Sequence, residues 1–233
     1  MEPVFDGVVA LLYPPMHFGV RWTIEGVEHV PATGPVILAS NHTSYLDPFA
    51  LAYLGLQRKR RTRFLAKEEL FEKRGIGGIM RGLHHIPVSR GTAGAAGSLV
   101  AAEDALRGGE CIAVFPEGTI SLDLDPMVGK TGTARLAAAT GAPIVPVGMW
   151  GLHRVMFKGR KPRWRAGIAE VVHVGAPLTV APDEDVLAAT DRLMGAICAQ
   201  VATARAAYPQ QPKAEEGDWW VRAPETAVLR TCR

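Results

Sequence analysis

The sequence predicts a single α/β domain, with a mostly parallel central sheet of about seven strands flanked by helices. Short apolar runs of strand length alternate with longer segments of helical periodicity, which is the pattern of βα units. Runs such as Val36-Ile37-Leu38-Ala39 and Ile112-Ala113-Val114-Phe115 are apolar at consecutive positions, as in buried strands. A chain of 233 residues can bury one substantial core, not two full domains.

Strands are expected at residues 20–25, 36–40, 63–66, 85–88, 112–115, 144–149 and 168–174. Helices are expected at 48–56, 75–82, 93–107 and 131–140, with Gly108 and Gly141 supplying left-handed residues that end two of them. The last helix, 183–207, is acidic in its first turn, as the helix dipole favours. The chain divides into an N-terminal segment (1–19), a main domain (20–207) and a C-terminal tail (208–233). The tail opens with Pro209-Gln210-Gln211-Pro212-Lys213 and carries Trp219 and Trp220, unusual in a disordered segment, which dock on the body or on lipid.

Hydrophobic residues make up 48% and charged ones 21%, a globular balance, and a net charge of +3 is too small for a nucleic-acid binder. Cys111, Cys198 and Cys232 are widely spaced, which fits reduced thiols and a cytosolic setting. No metal-ligand cluster is visible; His84 and His85 are neighbours in or beside a strand and point to opposite faces. Residues 7–20 are uncharged at Asp, Glu, Lys and Arg but broken by Pro14-Pro15, and fall short of the roughly 20 apolar residues of a membrane span. This segment reads either as a surface-dipping element or as a short helix docked on the core. Two basic runs, 58–63 and 158–165 (the second with Trp164), are expected to face anionic lipid or a phosphate-bearing substrate.

Chemistry concentrates in Asn41-His42-Thr43-Ser44-Tyr45-Leu46-Asp47, where a strand gives way to a helix. Open α/β sheets place their ligands at such C-terminal strand ends. His42 titrates near neutrality, and Asp47 can hold its tautomer and support its charge. A second reading makes Asp47 a helix cap before Pro48 and His42 a loop residue. A second block, Phe115-Pro116-Glu117-Gly118-Thr119, also ends a buried strand with a carboxylate, a glycine and a hydroxyl.

Together these blocks resemble the glycerolipid acyltransferase family, which includes the lysophosphatidate acyltransferases. Its His and Asp separated by four residues and its Phe-Pro-Glu-Gly-Thr block both stand here letter for letter. His85-Ile86-Pro87-Val88-Ser89-Arg90-Gly91 and Ala142-Pro143-Ile144-Val145-Pro146-Val147-Gly148 follow the family's order, and the likeness covers roughly residues 22–177. The family commonly has Arg-Ser after Glu-Gly-Thr, where this chain has Ile120-Ser121, and an acidic residue where Ser89 stands.

The resemblance implies an acyltransferase-like fold and transfer of a fatty acyl group from acyl-CoA or acyl carrier protein to a hydroxyl of a lysophosphatidate-like lipid. His42 and Asp47 would be catalytic; Arg90, Glu117, Gly118 and Thr119 would bind the acceptor. Arg90 would take the phosphate, since guanidinium binds it bidentately, with Lys67 and Lys130 as weaker anion contacts. Glu117 would orient Arg90 or accept a glycerol hydroxyl. Ser44 stands as a covalent alternative, and turns at 42–44 or 117–119 as sources of oxyanion donors. No metal or cofactor is implied; the partners are the lipid acceptor, the acyl donor and an anionic membrane, at its cytoplasmic face. A different glycolipid acceptor, a hydrolase using the same His/Asp pair and a non-catalytic lipid-binding module are the alternatives.

Overall fold

The apolar runs become seven strands: β1 (Val20–Glu25), β2 (Val36–Ser40), β3 (Thr62–Lys67), β4 (Ile86–Val88), β5 (Cys111–Val114), β6 (Ile144–Trp150) and β7 (Ile168–Val174). The computed structural model describes residues 2–88, 92–164, 166–214 and 216–221. The strands form one sheet in the order β1-β7-β6-β2-β5-β3-β4. From β6 to β4 all neighbours are parallel; β7 runs antiparallel to β6, and β1 lies parallel to β7. The expected mostly parallel sheet is therefore present, and one end of it gathers the C-termini of β2, β3, β4, β5 and β6. Pro146 has no amide to donate, yet sits in interior β6, because β7 pairs only from Val147 onward. Its carbonyl still accepts from the Gly175 amide.

The helices are α1 (Pro3–Gly19), α2 (Asp47–Gln57), α3 (Glu68–Glu72), α4 (Ile76–Gly82), α5 (Thr92–Arg107), α6 (Gly132–Thr140) and α7 (Val186–Ala206). Both sheet faces are buried, because alternate residues of one strand serve opposite cores. Val36 and Leu38 join Leu51 and Leu54 of α2 on one face. Ile37 and Ala39 join Leu106 of α5, Leu136 of α6 and Leu193 and Ile197 of α7 on the other. Asp185 precedes α7 as its cap, its side chain accepting from the Leu187 and Ala188 amides, so the first helical turn is not itself acidic. Gly141 ends α6 in the left-handed region as expected, but after α5 the left-handed residue is Gly109, not Gly108.

Pro14 and Pro15 do not interrupt α1, which runs through them. Tertiary contacts outweigh the lost amides: Tyr13 and Trp22 both stack on Tyr53 of α2, and the Tyr53 hydroxyl lies 2.7 Å from His17 Nδ1. Helix α1 is docked on the body while leaving Leu11 and Phe18 exposed. Among the described residues no helix is long and apolar enough to cross a membrane.

The tail folds back as far as residue 221. Trp220 is fully buried with Trp150, Tyr208 and Ala204, so it docks on the body. The Arg154 guanidinium fastens this return, donating to Glu216 (2.6 Å), Gln210 (2.6 Å) and the Tyr208 hydroxyl (3.0 Å) while lying over the Trp220 ring. Cys111 is a free, buried thiol, whereas Cys198 is disulfide-bonded. The expectation of reduced thiols throughout therefore does not hold at Cys198.

The first basic run has a structural role. Arg60 is buried and donates to the carbonyls of Pro31, Gly34 and Gly109, tying together the entrances of β2 and β5. Arg58 donates to the Val30 carbonyl, Arg61 pairs with Glu2 and Asp6, and Arg63 pairs with Glu110. These side chains lie at the N-terminal end of the parallel strands, away from His42. The expectation that this run faces lipid or substrate is corrected: unpaired carbonyls before two buried strands need donors, and arginine supplies several from one side chain.

Candidate active site

The site forms where β2 and β5, neighbours in the sheet, release the chain at their C-terminal ends. Asp47 is the first residue of α2, yet it does not cap that helix. Its buried carboxylate turns back instead. Oδ2 accepts from His42 Nδ1 at 3.0 Å and from the amides of Thr43 and Ser44 at 2.7 Å each. One carboxylate oxygen therefore both shapes the loop and holds the imidazole. The reading of Asp47 as a helix cap is set aside. The ring of His42 stacks on Phe115 at a centroid distance of 4.0 Å, and among the described residues nothing hydrogen-bonds its Nε2. A base held at Nδ1 and facing out at Nε2 can take a proton from a substrate hydroxyl.

Glu117 joins the two loops. Its Oε1 accepts from the His42 amide at 2.8 Å and its Oε2 from the Met127 amide at 3.0 Å. The His42 carbonyl in turn accepts from the Ser121 amide at 2.8 Å. Glu117 is only 4% exposed. Both its oxygens are occupied by backbone, which corrects the expectation that it orients an arginine or takes a glycerol hydroxyl. It is a clamp on the histidine's backbone. Burial pushes its carboxyl up to about 8, against the two amides, which pull it down. Between the ordinary glutamate range and about 8, the folded chain then holds a proton that the unfolded chain has lost, so stability falls as pH rises through that window. Glu117→Gln is expected to flatten the fall of the thermal midpoint between about pH 5 and 8. An unchanged slope would show that Glu117 does not titrate there.

A second buried carboxyl holds the other side of the loop. Glu170 in β7 accepts from the Leu152 amide at 2.6 Å through Oε2, while Oε1 has no partner; burial pushes it well above the usual range. The turn at Leu152–Arg154 that it anchors receives the Ser44 hydroxyl, which donates to the carbonyls of Leu152 (3.1 Å) and Met156 (2.8 Å). Ser44 is fully buried and also accepts from the Leu46 amide. It is a loop brace, and the covalent alternative is withdrawn. Asn41 completes the frame by a reciprocal pair with the Met149 backbone, at 3.0 and 2.9 Å.

Of the expected acceptor-binding residues, Gly118 and Thr119 lie on the turn beside His42. Gly118 takes φ +71°, and its amide donates to the Phe115 carbonyl. The loop after it closes on itself through Lys130 N–H to the Pro116 carbonyl at 2.9 Å. This lays the Lys130 side chain over Gly118, where an added Cβ would meet Nζ at 2.8 Å. Lys67 is exposed at the C-terminal end of β3, the same end of the sheet. Arg90 lies outside the described residues. Ile120 is buried, so the position where the family commonly has arginine faces the interior here. The amides of His42, Thr43 and Ser44 all serve carboxylates, which removes turn 42–44 as an oxyanion donor. Among the described residues no group of His, Cys, Asp and Glu side chains is gathered to hold a metal.

Phe115 and Glu170 were missed as site supports. Phe115 stood inside the recognised block, and the signal for Glu170 was a lone charge in the apolar run Ile168-Ala169-Glu170-Val171-Val172.

The acyltransferase family model matches residues 21–150. A chloroplastic 1-acyl-sn-glycerol-3-phosphate acyltransferase of Brassica napus is 31% identical over 64% of this chain and 43% of its own length. The 1-acyl-sn-glycerol-3-phosphate acyltransferase of Bacillus subtilis is 28% identical over 63% of this chain and 71% of its own. The chain spans less than half the length of the chloroplastic relative from Brassica napus. The crystal structure of the 1-acyl-sn-glycerophosphate acyltransferase from Thermotoga maritima superposes with a TM-score of 0.63, covering 91% of this chain and 80% of that one. At 24% identity this likeness shows the shared fold.

Proposed function

Because this chain belongs to the acyltransferase family, we propose that it is an O-acyltransferase of phospholipid synthesis, moving a fatty acyl group from a thioester to the free hydroxyl of a 1-acyl-glycerol 3-phosphate. The observation that carries this reading is the His42–Asp47 hydrogen bond beside a buried, fully engaged Ser44. A general base stands ready, and Ser44, the serine of its own loop, is not free to attack. The nucleophile is then the substrate's own hydroxyl.

His42 Nε2 takes the acceptor proton as the hydroxyl oxygen attacks the thioester carbonyl. Asp47 stabilises the imidazolium, and the stacked Phe115 ring adds its π-face. The tetrahedral oxyanion is met by backbone donors of the exposed turn; the Thr119 amide is our choice, since the Gly118 amide is directed at Phe115. When the intermediate collapses, the carbon–sulfur bond breaks, and the thiolate takes the proton back from His42. Lys130, laid across Gly118, and Lys67 at the end of β3 supply positive charge for the acceptor phosphate, together with Arg90. Peripheral attachment to a membrane is supported by the exposed apolar side chains Leu11 and Phe18 of α1 and Ile76 and Ile79 of α4, neighbouring helices that meet where Val4 packs on Gly82.

Labelled acyl-CoA and acyl carrier protein, each tested against a panel of lysolipids and sugar-lipids, decide the reading. Label entering 1-acyl-glycerol 3-phosphate is the expected result. Free fatty acid released at the same rate with or without acceptor would identify a hydrolase instead.

A further inference from the structure

Beside the turn that supports the catalytic loop lies a half-open cavity of about 250 Å³ that the reaction above does not use. Its walls include the rings of Phe157 and Trp219, the cations Arg160, Lys161 and Arg163, and the edge of His153. Arg160 is already stacked on Trp219, its guanidinium carbon 4.0 Å from the ring centroid. His153 is buried behind them, packed against the rings of Trp150 and Trp219. Burial drives its pKa down to about 3, so it is a neutral imidazole with one donor and one acceptor. The other cation on the wall, Arg154, is consumed by Glu216 and Tyr208.

Resting on the acyltransferase reading, we propose that this cavity seats the nucleotide end of a coenzyme A thioester, the adenosine 3′,5′-bisphosphate moiety. The half-buried rings of Phe157 and Trp219, in contact at a centroid distance of 5.3 Å, offer aromatic surface on which a base can lie, and the adjacent exposed cations suit its phosphates. A glycerophosphate headgroup would use the cations but has no ring for Trp219 and Phe157. The position also fits. The loop that forms the cavity takes the Tyr45 amide and the Ser44 hydroxyl on its Met156 carbonyl, at 3.3 and 2.8 Å. Ser44 belongs to the same Asp47-centred loop as His42, so the cavity wall and the catalytic base share one support, and a pantetheine arm would link them. Arg160, Lys161 and Arg163 of the second basic run would thus serve the donor, the phosphate-bearing substrate being one of the two partners expected for that run.

Adenosine 3′,5′-bisphosphate is the probe, titrated into the full chain and followed by tryptophan fluorescence and calorimetry. Binding with quenching, lost in Trp219→Ala and weakened about tenfold in Arg160→Ala and Lys161→Ala, is expected from removal of a charge-assisted contact. In turnover the same Arg160 and Lys161 variants should raise KM for acyl-CoA about tenfold, leaving kcat and the KM for an acyl-N-acetylcysteamine thioester, which has no nucleotide, unchanged. No binding of the bisphosphate, or equal displacement by glycerol 3-phosphate, overturns the proposal. So does a KM for acyl-CoA that is the same in all variants. The two readings fail separately: bisphosphate binding without transfer to any acceptor would sink the acyltransferase function, whereas transfer from acyl carrier protein without bisphosphate binding would sink only the donor seat.

Discussion

His42→Ala is expected to lower acyl transfer by about 10²–10⁴-fold, the contribution of a positioned general base, while leaving the thermal midpoint nearly unchanged. The imidazole is replaced at a partly exposed position, and its backbone contacts to Glu117 and Ser121 do not depend on the ring. Asp47→Asn tests the partner. The Oδ2 that receives His42 Nδ1 also receives two amides, so an asparagine oxygen can keep part of the loop's shape while the charge that supports the imidazolium is lost. Activity should fall with little unfolding. Transfer within a few-fold of wild type in His42→Ala would remove the base from the mechanism.

Arg154→Ala is expected to be the most damaging single change to stability away from the site. Its guanidinium and the Glu216 carboxylate are each 3% exposed and 2.6 Å apart, and its removal also strips the bonds to Gln210 and the Tyr208 hydroxyl. Breaking such a pair costs about 3–5 kcal/mol, read as a lower denaturant midpoint. Replacing both, as Arg154→Met with Glu216→Leu, should recover much of the loss, because the desolvation penalty disappears with the charges. A loss below about 1 kcal/mol in the single variant would mean that the Trp220 packing and the hydrogen bonds of Tyr208 and Gln210 to Gly167 and Ala169 hold the tail without the ion pair. Because Trp219 is carried by this tail, the single variant should also lose the adenosine bisphosphate response.

Much of the strand layout was legible because a strand buried on both faces must be apolar at consecutive residues, and 36–39, 112–115 and 144–149 are. The expected bounds of 20–25 and 168–174 coincide with β1 and β7. The helix through Pro14-Pro15 was not legible, since local propensity argues against it and only the Tyr13, Trp22 and Tyr53 stack outweighs that. The five-residue α3 was missed as well, because it is too short to show a period.

By itself the sequence determined the family, the parallel sheet and the pair His42 and Asp47, all of which rest on local spacing or periodicity that folding preserves. Tertiary structure alone decided what each polar side chain does. Glu117 passed from ligand contact to backbone clamp, Ser44 from possible nucleophile to brace, Arg60 from lipid contact to a link between strand entrances, and Lys130 came to lie over Gly118. The reason is that a carboxylate, a hydroxyl or a guanidinium takes whichever donors and acceptors the fold brings within about 3 Å, and those belong to chain segments remote in sequence.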